Sequence, residues 1–113
     1  MKQWVLDFLP VNRTEFIAIQ SGIKKIEVRA CAPKYALIAA GDEIIFTVED
    51  DIFVKKVATV KRFVSLEAMF AGISYQEIQP YAPSLPAAIE KYATFPQYPE
   101  KIARYGLIAI YLE

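Results

Sequence analysis

Residues 4–8 alternate loosely between apolar and polar positions and read as a short first strand, closed by Pro10. Asn12 then fits a helix N-cap with Glu15 three residues on, and Phe16, Ile17 and Ile19 carry a short helix toward Gly22, a natural C-terminal stop. Beyond it Lys25-Ile26-Glu27-Val28-Arg29 alternates strictly, with Ile26 and Val28 on one face and Lys25, Glu27 and Arg29 on the other. The pattern predicts a strand with one charged face. Pro33 breaks the chain, residues 35–40 lead to a Gly41-Asp42 turn, and Glu43-Ile44-Ile45-Phe46-Thr47-Val48 follows as the next strand. The acidic run Glu49-Asp50-Asp51 predicts a hairpin tip. Residues 52–63 then form one long strand, dense in β-branched and aromatic residues and carrying Lys55, Lys56, Lys61 and Arg62. Three strands this close in sequence point to an antiparallel sheet or small barrel, because parallel pairs need longer helical crossovers.

The second half changes period. Ser65 opens a helical turn through Met69 and Phe70 toward Gly72, Ser74-Tyr75-Gln76-Glu77 matches a capping box before Pro80, and Ser84-Leu85-Pro86 starts a third helix through Ile89 and Tyr92. Pro96 and Pro99 bracket Tyr98 in a constrained turn, and residues 100–104 fit one more helical turn. The last run, Leu107-Ile108-Ala109-Ile110-Tyr111-Leu112, is too apolar for a sheet edge and predicts a buried closing strand. With no internal repeat or linker, residues 1–113 read as a single α+β domain in which a helical insertion, about 65–104, interrupts a β-rich sheet.

Composition narrows the chemistry. The chain has 113 residues, 55% of them hydrophobic, and no histidine, which removes imidazole bases, Ser-His and Cys-His nucleophile pairs and histidine metal ligands. A single cysteine, Cys31, excludes an internal disulfide and every Cys-cluster metal pattern, so neither metal nor cofactor is expected, and a reducing, cytoplasmic setting is the default. The start lacks an apolar signal segment and no apolar run spans a bilayer, so no membrane partner is expected. The 13 basic and 13 acidic residues cancel, but residues 24–62 hold eight of the former against six of the latter. Any polyanion site is therefore a local patch in the first half.

The densest chemistry lies in Ser21-Gly22-Ile23-Lys24-Lys25-Ile26-Glu27-Val28-Arg29. Arginine offers a planar fork and glutamate accepts from amino groups, so the cluster suits a phosphate or a base edge. If burial lowered the pKa of Lys24, it would also suit base or nucleophilic chemistry. The structural alternative is a surface ladder in which Glu27 offsets Lys25 and Arg29. Lys55, Lys56, Lys61 and Arg62 could track a phosphate backbone, or act as charges that guard a sticky strand. Six of the seven tyrosines lie in the second half; Tyr98, fixed by its two prolines, is the candidate for stacking a base, while the others read as packing.

The order S-G-x-K-x-x-E-x-R, G-D-x-I-x-F, a V-K-x-V strand, S-x-E and a closing Y-G-x-x-A-I strand resembles the ASCH domain of the PUA-like superfamily. The match is carried by Ser21, Gly22, Lys24, Glu27 and Arg29, then Gly41, Asp42, Ile44 and Phe46, then Val54, Lys55 and Val57, then Ser65 and Glu67, then Tyr105, Gly106, Ala109 and Ile110. The resemblance implies a small, mostly antiparallel PUA-like β-barrel with short helices packed around it. It also implies a cleft that binds RNA or a nucleotide, lined by Lys24, Glu27 and Arg29 with Lys55 and Tyr98 as further contacts. Glu27 is then expected to read an amino group. Within the superfamily, an acetylcytidine amidohydrolase-like subgroup uses a lysine matching Lys24, but carries a threonine nucleophile where this chain has Glu27. An enzymatic version of the site, a hydrolase acting on a modified nucleoside or, ribonuclease-like, on RNA, would use Lys24 as base and Glu27 to position water. A protein-interaction module, contacting partners through Leu66, Met69 and Phe70, is the remaining reading.

Overall fold

A computed structural model describes residues 1–113, and its strands order as they do because one long strand gives its two halves to different partners. Strand β1 (Gln3–Phe8) is followed by a 3-10 turn (Pro10–Asn12) and helix α1 (Arg13–Ser21), then β2 (Ile26–Ala30), β3 (Glu43–Val48) and β4 (Asp51–Phe63). Helices α2 (Leu66–Gly72), α3 (Tyr75–Ile78), α4 (Leu85–Ala93) and α5 (Tyr98–Tyr105) precede the last strand, β5 (Leu107–Leu112). The sheet order is β1-β3-β4-β5-β2. The first half of β4 pairs antiparallel with β3, from Asp51 opposite Val48 to Lys56 opposite Glu43. Its second half pairs with β5, from Val57 opposite Leu112 to Phe63 opposite Leu107, with a register shift between Val57 and Thr59. Such an irregularity bends and twists a strand, and here it curls the sheet into a half-barrel.

The expected α+β architecture and its mostly antiparallel, barrel-like sheet are present, with two differences in detail. β1 runs parallel to β3, Gln3 opposite Glu43 through Phe8 opposite Val48; residues 9–42 supply the long crossover that a parallel pair requires. β2 is not part of the meander. It pairs with β5, Ile26 opposite Tyr111 and Ala30 opposite Leu107, so β1 and β2 are the two edges and the barrel stays open between them. The all-apolar β5 is interior, as its composition requires.

Two apolar clusters lie on opposite faces of the curl. One packs Leu6, Phe46, Val48, Ile108 and Ile110 beneath Phe16 and Ile19 of α1. The other packs Ile26, Val28 and Ala109 beneath the helical insertion, through Met69, Ile73, Ile78 and Ile102. Met69 is fully buried, and Leu66 and Phe70 pack against the same cluster. The surface imagined for partner contacts is therefore spent inside the fold. Ser65 and Ser84 cap α2 and α4 through Ala68 N–H and Ala87 N–H, whereas Ser74 makes no side-chain cap on α3.

Gly106 joins α5 to β5 with φ 72° and ψ −159°, a region that is essentially glycine-only. A Cβ there would stand 2.5 Å from the Phe63 carbonyl oxygen. Its own carbonyl accepts from Cys31 N–H at 2.9 Å, which ties the end of β2 to the start of β5.

Candidate functional site

The site begins with a glycine that turns the chain back under its own helix. Gly22 caps α1 with φ 87°, and Lys24 N–H donates to the Ala18 carbonyl at 3.0 Å. This left-handed turn, which only glycine makes without strain, brings the Lys24 side chain back to Glu15. Glu15 lies on the same helix face as Phe16 and Ile19, the face that packs inward. It is not a capping-box residue: Asn12 makes no side-chain cap, and Glu15 instead accepts from Lys24 Nζ at 2.9 Å and from Lys91 Nζ of α4 at 2.5 Å.

From there the charges alternate without a gap. Lys24 Nζ lies 3.4 Å from Glu27, and Glu27 lies 3.1 Å from Arg29 Nη2. Lys91, Glu15, Lys24, Glu27 and Arg29 thus form a ladder of three cations and two carboxylates drawn from α4, α1, the turn after α1, and β2. Glu27 also accepts from Val28 N–H and Arg29 Nε, so both its oxygens are engaged. Arg29 Nη1 makes no hydrogen bond within the protein, and its guanidinium rests over the rings of Phe8, at 4.9 Å, and Tyr35, at 5.8 Å. The strand face predicted to be charged is charged, but it faces a cavity rather than water. Lys25 precedes the strand and is exposed, so Glu27 is balanced by Lys24 and Arg29 and not by Lys25.

Burial and pairing act in opposite senses on Glu15, Lys24, Glu27 and Arg29. For Lys24 the largest single effect is burial, which disfavours the ammonium, but Glu27 and Glu15 together outweigh it and raise its pKa above the ordinary lysine value. Burial pushes Glu27 up, yet Lys24 and then Arg29 hold it below the ordinary glutamate value. Glu15 is likewise lowered, burial being outweighed by Lys24 and Lys91. These shifts favour the charged forms of Glu15, Lys24 and Glu27 at neutral pH. Lys24 is therefore an ammonium, opposite to the lowered pKa that a base or nucleophile would need.

Above the ladder lies a cavity of about 170 Å³ whose wall is aromatic: Phe8, Tyr92, Phe95 and Tyr98 line it beside Lys24, Glu27, Arg29, Glu15 and Lys91. Tyr92 and Tyr98 stand nearly parallel, 6.4 Å apart, with Phe95 edge-on to both. Gln97, at φ 62°, turns the chain so that Tyr98 begins α5 with its ring in this wall. Burial, partly offset by Arg29, raises the Tyr98 hydroxyl above its ordinary pKa, and burial raises that of Tyr92. No cluster of three or more Cys, Asp or Glu side chains is arranged to hold a metal ion, and no helix is long and apolar enough to cross a membrane.

Of the residues singled out in the sequence, Lys24, Glu27, Arg29 and Tyr98 meet in this cavity. Lys55 does not; it sits on β4 opposite Ile44 of β3. The other cations of β4 do not form a track either. Lys55 and Lys56 alternate across the sheet, Lys61 lies over Tyr111, and Arg62 donates to the Ala36 carbonyl. Glu15, Lys91, Phe8 and Phe95 were not predicted. A signal for Glu15 existed in its helical phase with Phe16 and Ile19, but Lys91 is 76 residues from its partner and nothing local announces it.

Residues 10–113 match the family model of the ASCH domain. The chain belongs to the ASCH domain family. Two solved structures share the fold. The crystal structure of hypothetical protein PH0355 aligns with a TM-score of 0.83 at 27% identity, covering 100% of this ASCH domain and 98% of that chain. The solution NMR structure of protein PF0455 from Pyrococcus furiosus aligns with a TM-score of 0.72 at 24% identity, covering 98% and 96%. No curated protein matches the sequence.

Proposed function

We propose that this ASCH domain binds RNA or a nucleotide by taking a single nucleobase into the aromatic cavity. The observation that carries the reading is the juxtaposition of a parallel tyrosine pair with a partly buried arginine whose Nη1 is free of protein partners. Rings of this kind stack bases, and a guanidinium edge donates to base carbonyl or phosphate oxygens. The volume, about 170 Å³, equals roughly six waters at about 30 Å³ each, which suits one ring and not a run of nucleotides. Glu27 has its oxygens occupied by Lys24, Val28 and Arg29, so in this reading it positions the two cations rather than reading an amino group.

The hydrolytic reading gains no such support, since the Lys24 ammonium is held by two carboxylates. The test is a titration of isotope-labelled protein with the four ribonucleosides and a short mixed-sequence oligoribonucleotide. Amide resonances of residues 24–29 and the ring resonances of Tyr92 and Tyr98 should shift. Tyr98→Leu, which keeps apolar volume but loses the ring face, should weaken binding by about 1–3 kcal/mol. If no nucleoside and no oligoribonucleotide moves these resonances, the reading fails.

A further inference from the structure

The ion pair between Lys91 and Glu15 is a shared wall. A second cavity, of about 240 Å³, adjoins the aromatic one; Gln79, Glu15 and Lys91 line both. Its remaining lining is Tyr81, Ala82, Pro83 and Ala87, so Lys91 is its single cation. Ala87 and Lys91 stand one helical turn apart on α4, which places the ammonium along one side of this second space.

The members of the charged ladder differ in how freely they can move. The Lys24 and Glu27 side chains are only 6% and 5% exposed, whereas that of Lys91 is 36% exposed. Should Lys91 leave, Glu15 keeps Lys24 at 2.9 Å and no buried carboxylate is stranded. Should Lys24 leave, the buried Glu15 and Glu27 would both lose a partner. Exchanging a half-exposed, redundant ion pair is inexpensive, while breaking a buried one is not. The ladder also carries one more cation than carboxylates, so it favours an anionic group over a neutral one.

We infer that Lys91 exchanges Glu15 for the phosphate of a nucleotide whose base fills the aromatic cavity, making the two cavities one site with a base compartment and a phosphate compartment. The inference rests on the nucleobase reading above. Phosphate adjoining a base is supplied both by a free mononucleotide and by an RNA chain, and the ligand set separates them.

The experiment is calorimetry with the four ribonucleosides, their 5′- and 3′-monophosphates and a short oligoribonucleotide, on the unaltered protein and on Lys91→Met and Lys91→Arg. For the base that binds, a monophosphate should bind about tenfold or more tighter than its nucleoside, as one charge-assisted hydrogen bond provides. That ratio should fall to near one in Lys91→Met and persist in Lys91→Arg. An oligoribonucleotide that keeps the Lys91 dependence and binds tighter than any mononucleotide assigns the phosphate to RNA; the reverse order assigns it to a free nucleotide. Should Lys91→Met fail to fold, the unaltered protein decides by resonance: the monophosphate, but not the nucleoside, shifts Tyr81 and the Lys91 side chain. Equal affinity for nucleoside and nucleotide, or an advantage that survives Lys91→Met, overturns the inference and leaves the base compartment standing. Failure of every nucleoside and nucleotide to bind overturns both.

Discussion

Lys24 and Lys91 share a carboxylate and are not equivalent. Lys24 is sealed between Glu15 and Glu27, and removing its charge leaves two buried carboxylates facing each other across the gap. Breaking a buried pair from one side costs about 3–5 kcal/mol, so Lys24→Met should lower the unfolding free energy by roughly that amount in urea. Lys91→Met should cost under about 1 kcal/mol, because its side chain is half-exposed and water screens its pairing. Equal destabilisation by the two substitutions would contradict the division of the ladder into a fixed and an exchangeable part. The same division explains what the sequence could reveal of the site. Lys24, Glu27 and Arg29 are legible because a glycine turn and a two-residue period put them together locally. Glu15 was concealed by a plausible alternative role as a cap, and Lys91 by distance along the chain. Lys55 entered the site through the resemblance and the row of cations on its strand, and its place on β4 opposite Ile44 puts it outside the cavity lining.

At the scale of elements, the parts that follow local rules were readable and the parts that follow long-range pairing were not. The β3–β4 hairpin is announced by Gly41-Asp42 and by its acidic tip, where Arg13 of α1 bridges Glu49 and Asp51. The interior place of β5 follows from its unbroken apolar run. The parallel partner of β1 and the β5 partner of β2 follow from no local pattern, since both depend on which edges the curled sheet leaves open. Alternation also cannot say that both faces of β2 are covered, one by the helical insertion and the other by the cavity. The junction that holds this arrangement is Gly106. Gly106→Ala forces a side chain into a glycine-only conformation, costing about 1–3 kcal/mol, and drives its Cβ onto the Phe63 carbonyl. Chemical denaturation should show at least that loss, and hydrogen exchange should show the β2–β5 ladder opening first. Unchanged stability would mean that α5 and β5 can meet in another way.

Over the whole molecule the absence of histidine and the depressed carboxylates together set the response to pH. No side chain titrates between pH 5 and 8 at its ordinary value, and Glu15, Glu27 and Lys24 are shifted away from that range. Glu15 and Glu27 have folded-state values below the ordinary glutamate value of 4.5, and Asp42, which accepts from Trp4 Nε1 and Lys2 N–H, lies below the ordinary 3.8. A lowered carboxylate contributes stability that is complete above its unfolded value and is lost as pH falls through its folded one. Lys24, raised above 10.5, contributes fully below that value and loses its contribution only as pH climbs through the raised one. Unfolding free energy should therefore stay level across pH 5–8 and fall steeply only below about 4.5, the slope reflecting protons taken up on unfolding. Glu15→Gln/Glu27→Gln should be less stable at neutral pH but lose less on acidification, because the two carboxylates that resist protonation are gone. A double variant with an undiminished acid slope would place the acid sensitivity outside the ladder, in Asp42 or the surface charge.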